Sequence, residues 1–433
     1  MVALSGIAAL KARQVLDSRG RPTVEAVATL TSGAEGRAIV PSGASTGRHE
    51  AAEIRDRADP RYRGLGVYQA VSNVTVVIAP AVVGLDASDQ VALDRVLIEL
   101  DGTPNKSRLG ANATLAVSMA VVQAAAAETG QSLWRHLLQG REPVLPRPMV
   151  NILSGGLHSD GNLDFQDFLI VPARATTFSD ALHTCVLFHW TMKDILHERG
   201  LTTLRADEGG FGPPLRSNDH ALDLMLVAAE RAGLRPGEDV WIAIDVAATH
   251  FYDSARQRYQ LETEGKILDS NQMVEMLGRW TGRYPICSIE DGLAEDDWEG
   301  WTALARSLGA SVQLVGDDLF TTNADRLRKG IELGAANAVL VKLNQVGTLT
   351  EAIELVRVAK SAGYRTIASA RSGETEDTSL ADVAVGTAIG QIKIGSVTGS
   401  ERLAKYNQLL RIEEELGEAA TLAPFIGQGR GSR

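Results

Sequence analysis

Three acidic residues, Asp245, Glu290 and Asp317, each end a short apolar run in the second half of the chain. Carboxylate oxygens are the ligands that a hard divalent cation such as Mg²⁺ prefers. A single acid in such a place is more often a helix cap or a solvated loop charge. Three in successive runs, with no His/Cys cluster in the sequence to compete for zinc, favour a metal site. We therefore expect these carboxylates to bind Mg²⁺.

Lys342 ends another apolar run, residues 338–342. An unpaired ammonium group is costly in such surroundings, so it either pairs with Asp317 or leans out to solvent. The alternative interpretation is catalytic. Burial and a neighbouring cation such as Lys393 would lower the pKa of Lys342 and let the neutral amine act as a base.

Glycine-rich and small-residue segments supply further candidates. Glu208 lies in Ala-Asp-Glu-Gly-Gly-Phe-Gly-Pro, residues 206–213, which fits either a carboxyl close to a ligand or an exposed turn. Residues 42–47, Ser-Gly-Ala-Ser-Thr-Gly, lack the Gly-Lys-Ser/Thr ending of a P-loop and suit a lid over phosphate and metal. Arg371 and Ser372 fit either a phosphate clamp or a helix start capped by Ser372.

These residues need strands that bring them to one place. The strand candidates are residues 240–245, 286–290, 312–317, 338–342, 365–369 and 390–393. Amphipathic patterns between them predict helices, and this alternation predicts parallel strands with crossover helices. Because the polar residues follow the strands, a closed β/α barrel with all strand ends at one mouth is favoured over an open doubly wound sheet.

Two helices of this part have clear signatures. Met273, Met276, Leu277 and Trp280 are spaced i, i+3, i+4 and i+7, which predicts one buried face. A second helix begins near residue 349. Its start can be capped by Thr348 or Thr350, and Gly363 stands where a C-terminal glycine is expected.

The first part of the chain follows a different pattern. Apolar runs at residues 23–30 and 37–41 predict a small antiparallel sheet, and residues 111–128 predict a buried helix. Residues 141–148 contain three prolines and predict a linker. We therefore expect an α/β protein with an N-terminal α+β domain, residues 1–138, and a barrel domain, residues 139–433. The Gly- and Arg-rich residues 424–433 predict a mobile tail.

Composition limits the partners. The 433 residues carry a formal net charge of −11, which argues against nucleic acid or an anionic membrane. Cys185 and Cys287 lie among apolar residues and predict buried thiols in a reducing cytoplasm. The N-terminus lacks the features of a signal peptide, and no apolar run is long enough to span a membrane. We expect a cytoplasmic protein.

Longer motifs run along the whole chain. They are Leu-Asp-Ser-Arg-Gly at 16–20, Pro-Ser-Gly-Ala-Ser-Thr-Gly at 41–47, Asp-Gly-Thr at 101–103, Asn-Lys-Ser at 105–107, Asp-Glu-Gly-Gly at 207–210, Ser-Ile-Glu-Asp-Gly-Leu at 288–293, Gly-Asp-Asp-Leu-Phe at 316–320, Arg-Ser-Gly-Glu-Thr-Glu-Asp at 371–377 and Ala-Lys-Tyr-Asn-Gln-Leu at 404–409. In these motifs the chain resembles the enolase (phosphopyruvate hydratase) family. The resemblance implies an atypical, TIM-like β/α barrel behind a smaller α+β domain, assembled as a homodimer or larger homo-oligomer.

The resemblance also implies an activity and a metal. The activity is that of a glycolytic lyase, the reversible dehydration of 2-phosphoglycerate to phosphoenolpyruvate. Two Mg²⁺ ions per active site are implied. The implied metal ligands are Asp245, Glu290 and Asp317 for the first ion and Ser45 as a contributor to the second.

Roles in catalysis and substrate binding follow from the same resemblance. Lys342 would remove the C2 proton, and Glu208 would protonate the departing C3 hydroxyl group. The partner is then a small phosphorylated glycerate. The residues implied to bind it are Lys393 at the carboxylate, Arg371 and Ser372 at the phosphoryl group, and His158 and Asp167 on a second loop.

Three positions depart from the family pattern. Ala370 stands where the family has histidine in Ser-His-Arg-Ser-Gly-Glu, and Asp167 stands where the family has glutamate in Gln-Glu-Phe. His250 replaces the usual glutamate. The first two changes shorten a side chain and would together enlarge the pocket.

These departures keep several functions open. One is an ordinary enolase that tolerates Ala370. Another is a paralogue for a bulkier 2-phosphoglycerate analogue, such as a 2-carboxyphosphono-glycerate, which would resemble the carboxyphosphonoenolpyruvate synthases of phosphinic-acid antibiotic biosynthesis. A third is a retired enolase kept as a binding protein. A sugar-acid dehydratase of the wider superfamily is disfavoured by the loop at residues 42–47.

Overall fold

The computed structural model describes residues 6–43 and 47–427. The first part is an antiparallel sheet with β2 in the centre. Its strands are β1 (Ile7–Leu16), β2 (Pro22–Leu30) and β3 (Glu35–Ile39). The helices that follow are α1 (Tyr68–Ser72), α2 (Ala79–Val82), α3 (Gln90–Asp101), α4 (Ala111–Glu128) and α5 (Leu133–Leu138). The predicted sheet and the predicted helix at residues 111–128 are confirmed, and β1 is an addition.

Helix α4 lies against β2 and β3 and is buried on almost every side. Its alanines favour a helix and allow a close approach to the sheet. A Cβ atom at Gly36 in β3 would lie 2.1 Å from the backbone oxygen of Ala120. Glycine is therefore required at this point of contact.

The second part begins with β4 and contains a closed barrel. Its strands are β4 (Arg147–Ser154), β5 (Asp167–Pro172), β6 (Val240–Asp245), β7 (Tyr252–Asp253), β8 (Arg258–Leu261), β9 (Lys266–Leu268), β10 (Ile286–Glu290), β11 (Gln313–Gly316), β12 (Ala338–Val341), β13 (Arg365–Ser369) and β14 (Gln391–Gly395). Its helices are α6 (Phe178–Glu198), α7 (Asn218–Arg231), α8 (Ser270–Arg283), α9 (Trp298–Leu308), α10 (Ala324–Leu333), α11 (Leu349–Ser361), α12 (Ser379–Gly386) and α13 (Ser400–Leu416). Strands β7, β8 and β9 form a separate small sheet.

The barrel closes in the order β4–β5–β6–β10–β11–β12–β13–β14, with β14 paired to β4. Strand β5 runs antiparallel to both neighbours, and the other pairs are parallel. The predicted atypical barrel is thus confirmed, although the sequence pattern indicated six of its strands and missed β4 and β5. The predicted linker is too long, because Arg147 and Pro148 already belong to β4. Proline is tolerated near the start of a strand.

Side-chain caps fix where the helices begin. Asp269 and Gln272 form a reciprocal capping box at the start of α8, and the predicted face of α8 is buried. Thr348 caps α11 by accepting a hydrogen bond from the N–H of Glu351. Thr350 has a different role, since its N–H and hydroxyl both donate to Asp94 of the first domain, at 2.9 and 2.6 Å.

The lower half of the barrel interior is filled by apolar side chains. Phe425 and Ile426 belong to this cluster, and the ring of Phe425 lies 5.7 Å from that of Trp241. The expectation of a mobile tail from residue 424 is therefore wrong for these two residues, because they bury apolar surface against the barrel. Buried polar side chains also occur at this end, where Gln313 Nε2 donates to Gln391 Oε1 and to Ser288 Oγ, both at 3.1 Å.

Two further predictions concern the whole chain. Cys185 and Cys287 are both buried free thiols, as expected. Across residues 6–43 and 47–427, no helix combines the length and the apolar character needed to cross a bilayer.

Candidate active site

The mouth of the barrel gathers the three predicted acids. Asp245 and Glu290 are the last residues of the neighbouring strands β6 and β10, where they stand in register. Asp317 directly follows β11. All three are at least nine-tenths buried, so the sequence correctly predicted that they meet at one mouth.

Lys393 joins two of these acids from β14. Its Nζ lies 2.8 Å from Asp245 Oδ2 and 2.9 Å from each carboxylate oxygen of Glu290. Burial works to lower the pKa of Lys393, but Asp245 and Glu290 raise it well above the usual value. Burial and the charge of Asp245 likewise raise the pKa of Glu290. Lys393 is therefore a charged partner of both carboxylates.

Lys342 follows β12 and contacts Asp317 Oδ2 through its Nζ. Burial works to lower the pKa of Lys342, but the charges of Asp317 and Glu290 together raise it. The expectation of a lowered pKa is therefore wrong for this state of the protein. The ion-paired interpretation of Lys342 describes what the structure contains.

The acids suit a hard cation. Glu290, Asp245 and Asp317 offer only oxygen atoms, and they crowd enough to raise the pKa of Glu290, so a divalent cation would relieve their repulsion. A second acidic group, not predicted, shares Asp317. The ligand atoms of Asp291, Asp317 and Asp318 lie within 4.8 Å of one another. Both sets fit Mg²⁺. The predicted ligand Ser45 lies outside the described residues.

His158 and Asp167 lie at the same mouth. Because β5 is antiparallel, its first residue, Asp167, stands in register with Asp245 at the mouth. Asp167 Oδ2 lies 2.9 Å from His158 Nδ1. Its Oδ1 accepts hydrogen bonds from Asn151 and Ser154, at 2.5 and 2.9 Å. Asp167 therefore lies on the Nδ1 side of the His158 ring. Both of its carboxylate oxygens have hydrogen-bond partners within the protein.

Glu208 comes from the loop between α6 and α7, which glycines bring close to the barrel. Gly209 has a φ of 87°, and a Cβ at Gly210 would lie 2.8 Å from Ser154 Oγ. Glu208 Oε1 lies 3.9 Å from His158 Nε2. The predicted approach of this carboxyl to the site is found, and the glycines are its cause.

The charges of His158 and Glu208 depend on each other. Burial works to lower the pKa of His158, but Asp167 and Glu208 raise it to about 9. Burial works to raise the pKa of Glu208, but His158 and nearby Arg and Lys groups lower it. With a pKa of about 9, His158 is protonated at neutral pH and lies between two acidic groups, and burial raises the pKa of one of them, Asp167.

Arg371 and Ser372 follow β13 in a loop, and α12 begins only at Ser379, so the helix-start interpretation is wrong. The guanidinium of Arg371 donates to Glu50 at 3.1 and 3.2 Å and to Asn344 Oδ1 at 2.9 Å. Ser372 Oγ lies 3.4 Å from Arg19 Nη1. Glu50, Asn344 and Arg19 were not predicted, because no spacing in the sequence marks them.

One small cavity connects these groups. The residues that line it are His158, Gln166, Glu208, Asp245, Lys342, Ser369, Ala370, Arg371, Ser372 and Lys393. Ala370 contributes only a methyl group to its wall. His250 lines a neighbouring cavity with Leu157 and Phe251.

Comparison with protein families gives two matches that together cover almost the whole chain. Residues 7–137 match the family described as "Enolase, N-terminal domain". Residues 142–428 match "Enolase, C-terminal TIM barrel domain". The first match includes the small sheet and its helices, and the second includes the barrel and its mouth.

Proposed function

The chain belongs to the enolase family of hydro-lyases, and on this premise we propose that it dehydrates a 2-phosphorylated glycerate with the help of Mg²⁺. The first substrate we propose is 2-phosphoglycerate, with phosphoenolpyruvate and water as products of a reversible reaction. The observation that carries the proposal is the set of residues that line one cavity. Lys342, Glu208, Lys393 and Arg371 all line it, so a base, an acid and two anion-binding groups face the same space.

Lys342 is the proposed base. It takes the proton from C2, the electron pair forms the C2–C3 double bond, and the C3–O bond breaks. To do so Lys342 must leave Asp317 and lose its own proton, since the two form an ion pair in this structure. If the Asp317 carboxylate bound a metal ion in place of Lys342, it would no longer raise the pKa of Lys342 by direct contact, and the ammonium group could lose its proton.

Glu208 is the proposed acid at the departing hydroxyl group. Its pKa is lowered by His158, so it needs a proton before it can act. His158 is the nearest charged donor, with Nε2 3.9 Å from the Glu208 carboxylate. We propose that the pair His158–Glu208 holds the proton that leaves with the hydroxyl as water.

Cations surround the places where negative charge would lie. Lys393 would face the substrate carboxylate, while Arg371 and Ser372 would hold the phosphoryl group. When bound, Mg²⁺ would supply countercharge for the substrate carboxylate next to C2, onto which negative charge spreads when the C2 proton is removed. The residues proposed to hold two such ions are Asp245, Glu290, Asp317 and Ser45.

A second candidate substrate is a bulkier analogue, such as a 2-carboxyphosphono-glycerate, dehydrated to carboxyphosphonoenolpyruvate. Two observations favour it. Ala370 leaves part of the cavity wall without a polar group, and Asp167 lies behind His158 with both oxygens engaged. The room left where the family has a histidine side chain would suit a larger anionic substituent on the substrate.

Turnover measurements distinguish the two. Purified protein with Mg²⁺ is given each substrate, the enol product is followed by its ultraviolet absorbance, and Lys342→Ala serves as the blank. Faster turnover of 2-phosphoglycerate supports the ordinary reaction and rules against the paralogue. Faster turnover of the analogue supports the paralogue. Tight Mg²⁺ binding without turnover of either contradicts both and favours a retired enolase acting as a binding protein.

The setting is proposed with the activity. We propose a cytoplasmic homodimer or larger homo-oligomer, divided into an N-terminal domain and a barrel domain near residues 138 and 139. The ordinary reaction would belong to glycolysis, and the alternative to phosphinic-acid antibiotic biosynthesis. Light scattering of the purified protein tests the assembly directly.

A further inference from the structure

Glu50 carries a buried carboxylate that none of the proposed steps uses. It lies in the first domain, shortly after Gly47, and reaches the barrel, where it meets Arg371. Its side chain is only 8% exposed, and that of Arg371 only 3%. A buried carboxylate is retained at such a cost only if it is well paired.

Within residues 6–43 and 47–427, four donors contact this carboxylate. Glu50 Oε2 accepts from Arg371 Nη1 at 3.1 Å. Glu50 Oε1 accepts from Arg371 Nη2 at 3.2 Å, from the N–H of Gly47 at 3.0 Å and from Gln345 Nε2 at 3.3 Å. The two contacts to Arg371 form a fork, which fixes the plane of the guanidinium as well as its position.

The same contacts connect Arg371 to the acids of the mouth. Gln345 Nε2 also donates to Asp317 Oδ1 at 3.0 Å, and Thr322 Oγ1 fixes the Gln345 side chain through its oxygen at 2.6 Å. Glu50 is thus held in place by groups from the barrel as well as by its own loop.

We infer that Glu50 is a positioning residue, which orients the guanidinium of Arg371 to bind the phosphoryl group of the substrate. The inference rests on the proposed function, because it takes Arg371 as the partner of that group. Glu50 itself does not contact the substrate. Its carboxylate is the acceptor that keeps the Arg371 fork in one orientation.

Binding of inorganic phosphate tests this role without depending on which glycerate is the substrate. Calorimetry is carried out on the Mg²⁺-saturated protein, on Glu50→Ala and on the near-isosteric Glu50→Gln. Loss of an acceptor from a charged, buried donor predicts a phosphate Kd raised roughly tenfold in Glu50→Ala and by less in Glu50→Gln, which keeps one oxygen. With an active substrate, KM is expected to rise while kcat changes little.

Two controls separate this role from loop docking and from general damage. Glu295→Ala removes the acceptor of the Arg48 N–H bond, 3.0 Å long, which attaches the same loop to the barrel without touching Arg371. We expect it to leave phosphate affinity unchanged. In an Arg371→Ala background, adding Glu50→Ala is expected to have no further effect. Thermal melting checks folding, and Glu50→Gln replaces Glu50→Ala if the latter unfolds.

Several outcomes would overturn the inference. Tighter phosphate binding in Glu50→Ala would mean that the carboxylate competes with phosphate. Equal losses in Glu50→Ala and Glu295→Ala would assign the effect to loop docking. No phosphate binding by the wild type would remove Arg371 from this role. Absence of turnover, together with phosphate binding that weakens in Glu50→Ala, would overturn the proposed function and leave the inference standing.

Discussion

Both carboxylate oxygens of Glu290 lie 2.9 Å from the Nζ atom of Lys393. An ammonium group therefore faces the edge of the carboxylate through which a metal would be bound. The lysine and a divalent cation then compete for the same oxygen atoms, although the proposed reaction needs both of them nearby. If Glu290 binds the metal and Lys393 binds the substrate, as proposed, this contact would couple metal affinity to substrate binding.

Removal of Lys393 tests that competition. In Lys393→Ala no ammonium group competes for Glu290 and Asp245, so we expect Mg²⁺ to bind roughly tenfold more tightly by calorimetry, while turnover is lost. Lys106→Ala is the control, since the buried Lys106 side chain forms an ion pair, 2.7 Å long, with the partly exposed Glu351. Weaker Mg²⁺ binding in Lys393→Ala would contradict the competition.

Isotope exchange distinguishes the role of the proposed base, Lys342, from that of the proposed acid, Glu208. In D₂O, Lys342→Ala is expected to lose both dehydration and exchange of the C2 proton, because nothing removes that proton. Glu208→Gln is expected to slow dehydration by about 10²–10⁴-fold yet still exchange the C2 proton. Exchange is followed by proton NMR of the substrate. Exchange that persists in Lys342→Ala would assign the base to another group.

The imidazolium of His158 predicts a dependence of stability on pH. Its pKa is about 9 in the folded protein, raised from 6.5 by Asp167 and Glu208 against burial. A raised pKa stabilises the fold fully below pH 6.5, and this contribution is lost as pH rises through 9. The shift corresponds to about 3 kcal/mol.

The measurement is urea unfolding of the metal-free protein at pH 6 and pH 9.5, compared with His158→Gln. We expect the free energy of unfolding of the wild type to fall more over this range than that of the variant. Comparison with the variant removes the contribution of other groups that titrate in this pH range. One of them is Asp382, whose pKa burial raises to about 7. Parallel pH profiles for the two proteins would rule out a charged His158.

Substrate preference is expected to depend on position 370. In Ala370→His an imidazole replaces a methyl group in the cavity wall, which fills space and adds a hydrogen-bonding group. The ratio of kcat/KM for 2-phosphoglycerate over the carboxyphosphono analogue is therefore expected to rise by about 10–100-fold. Ala368→Val, next to the cavity but inside the barrel wall, is the size control. An unchanged ratio in Ala370→His would remove this position from substrate selection.

Much of the barrel could be predicted because its strands are short apolar runs that end in polar residues. Strands β6, β10 and β13 have the predicted bounds. Strand β4 was missed because the prolines near its start look like a linker, and β5 because Asp167 and the glycine-rich residues before it look like a loop. The antiparallel direction of β5 depends on how the barrel closes, and a local sequence pattern does not predict that closure.

The site was predictable in its members and not in its pairings. The acids at strand ends and the glycine-rich approach of Glu208 follow from local sequence. That Lys342 pairs with Asp317 depends on how two neighbouring strands, β11 and β12, stand in register. Glu50 meets an arginine 321 residues further along the chain, which requires the docking of two domains.

The burial of Phe425 and Ile426 in the lower barrel has a consequence for biosynthesis. These side chains complete the apolar packing against Trp241, yet they are made after all eight barrel strands. A nascent chain that has finished β14 therefore carries a barrel whose base is still open to water. Until residues 425 and 426 arrive, we expect that intermediate to expose apolar surface and to be the stage at which chaperones bind.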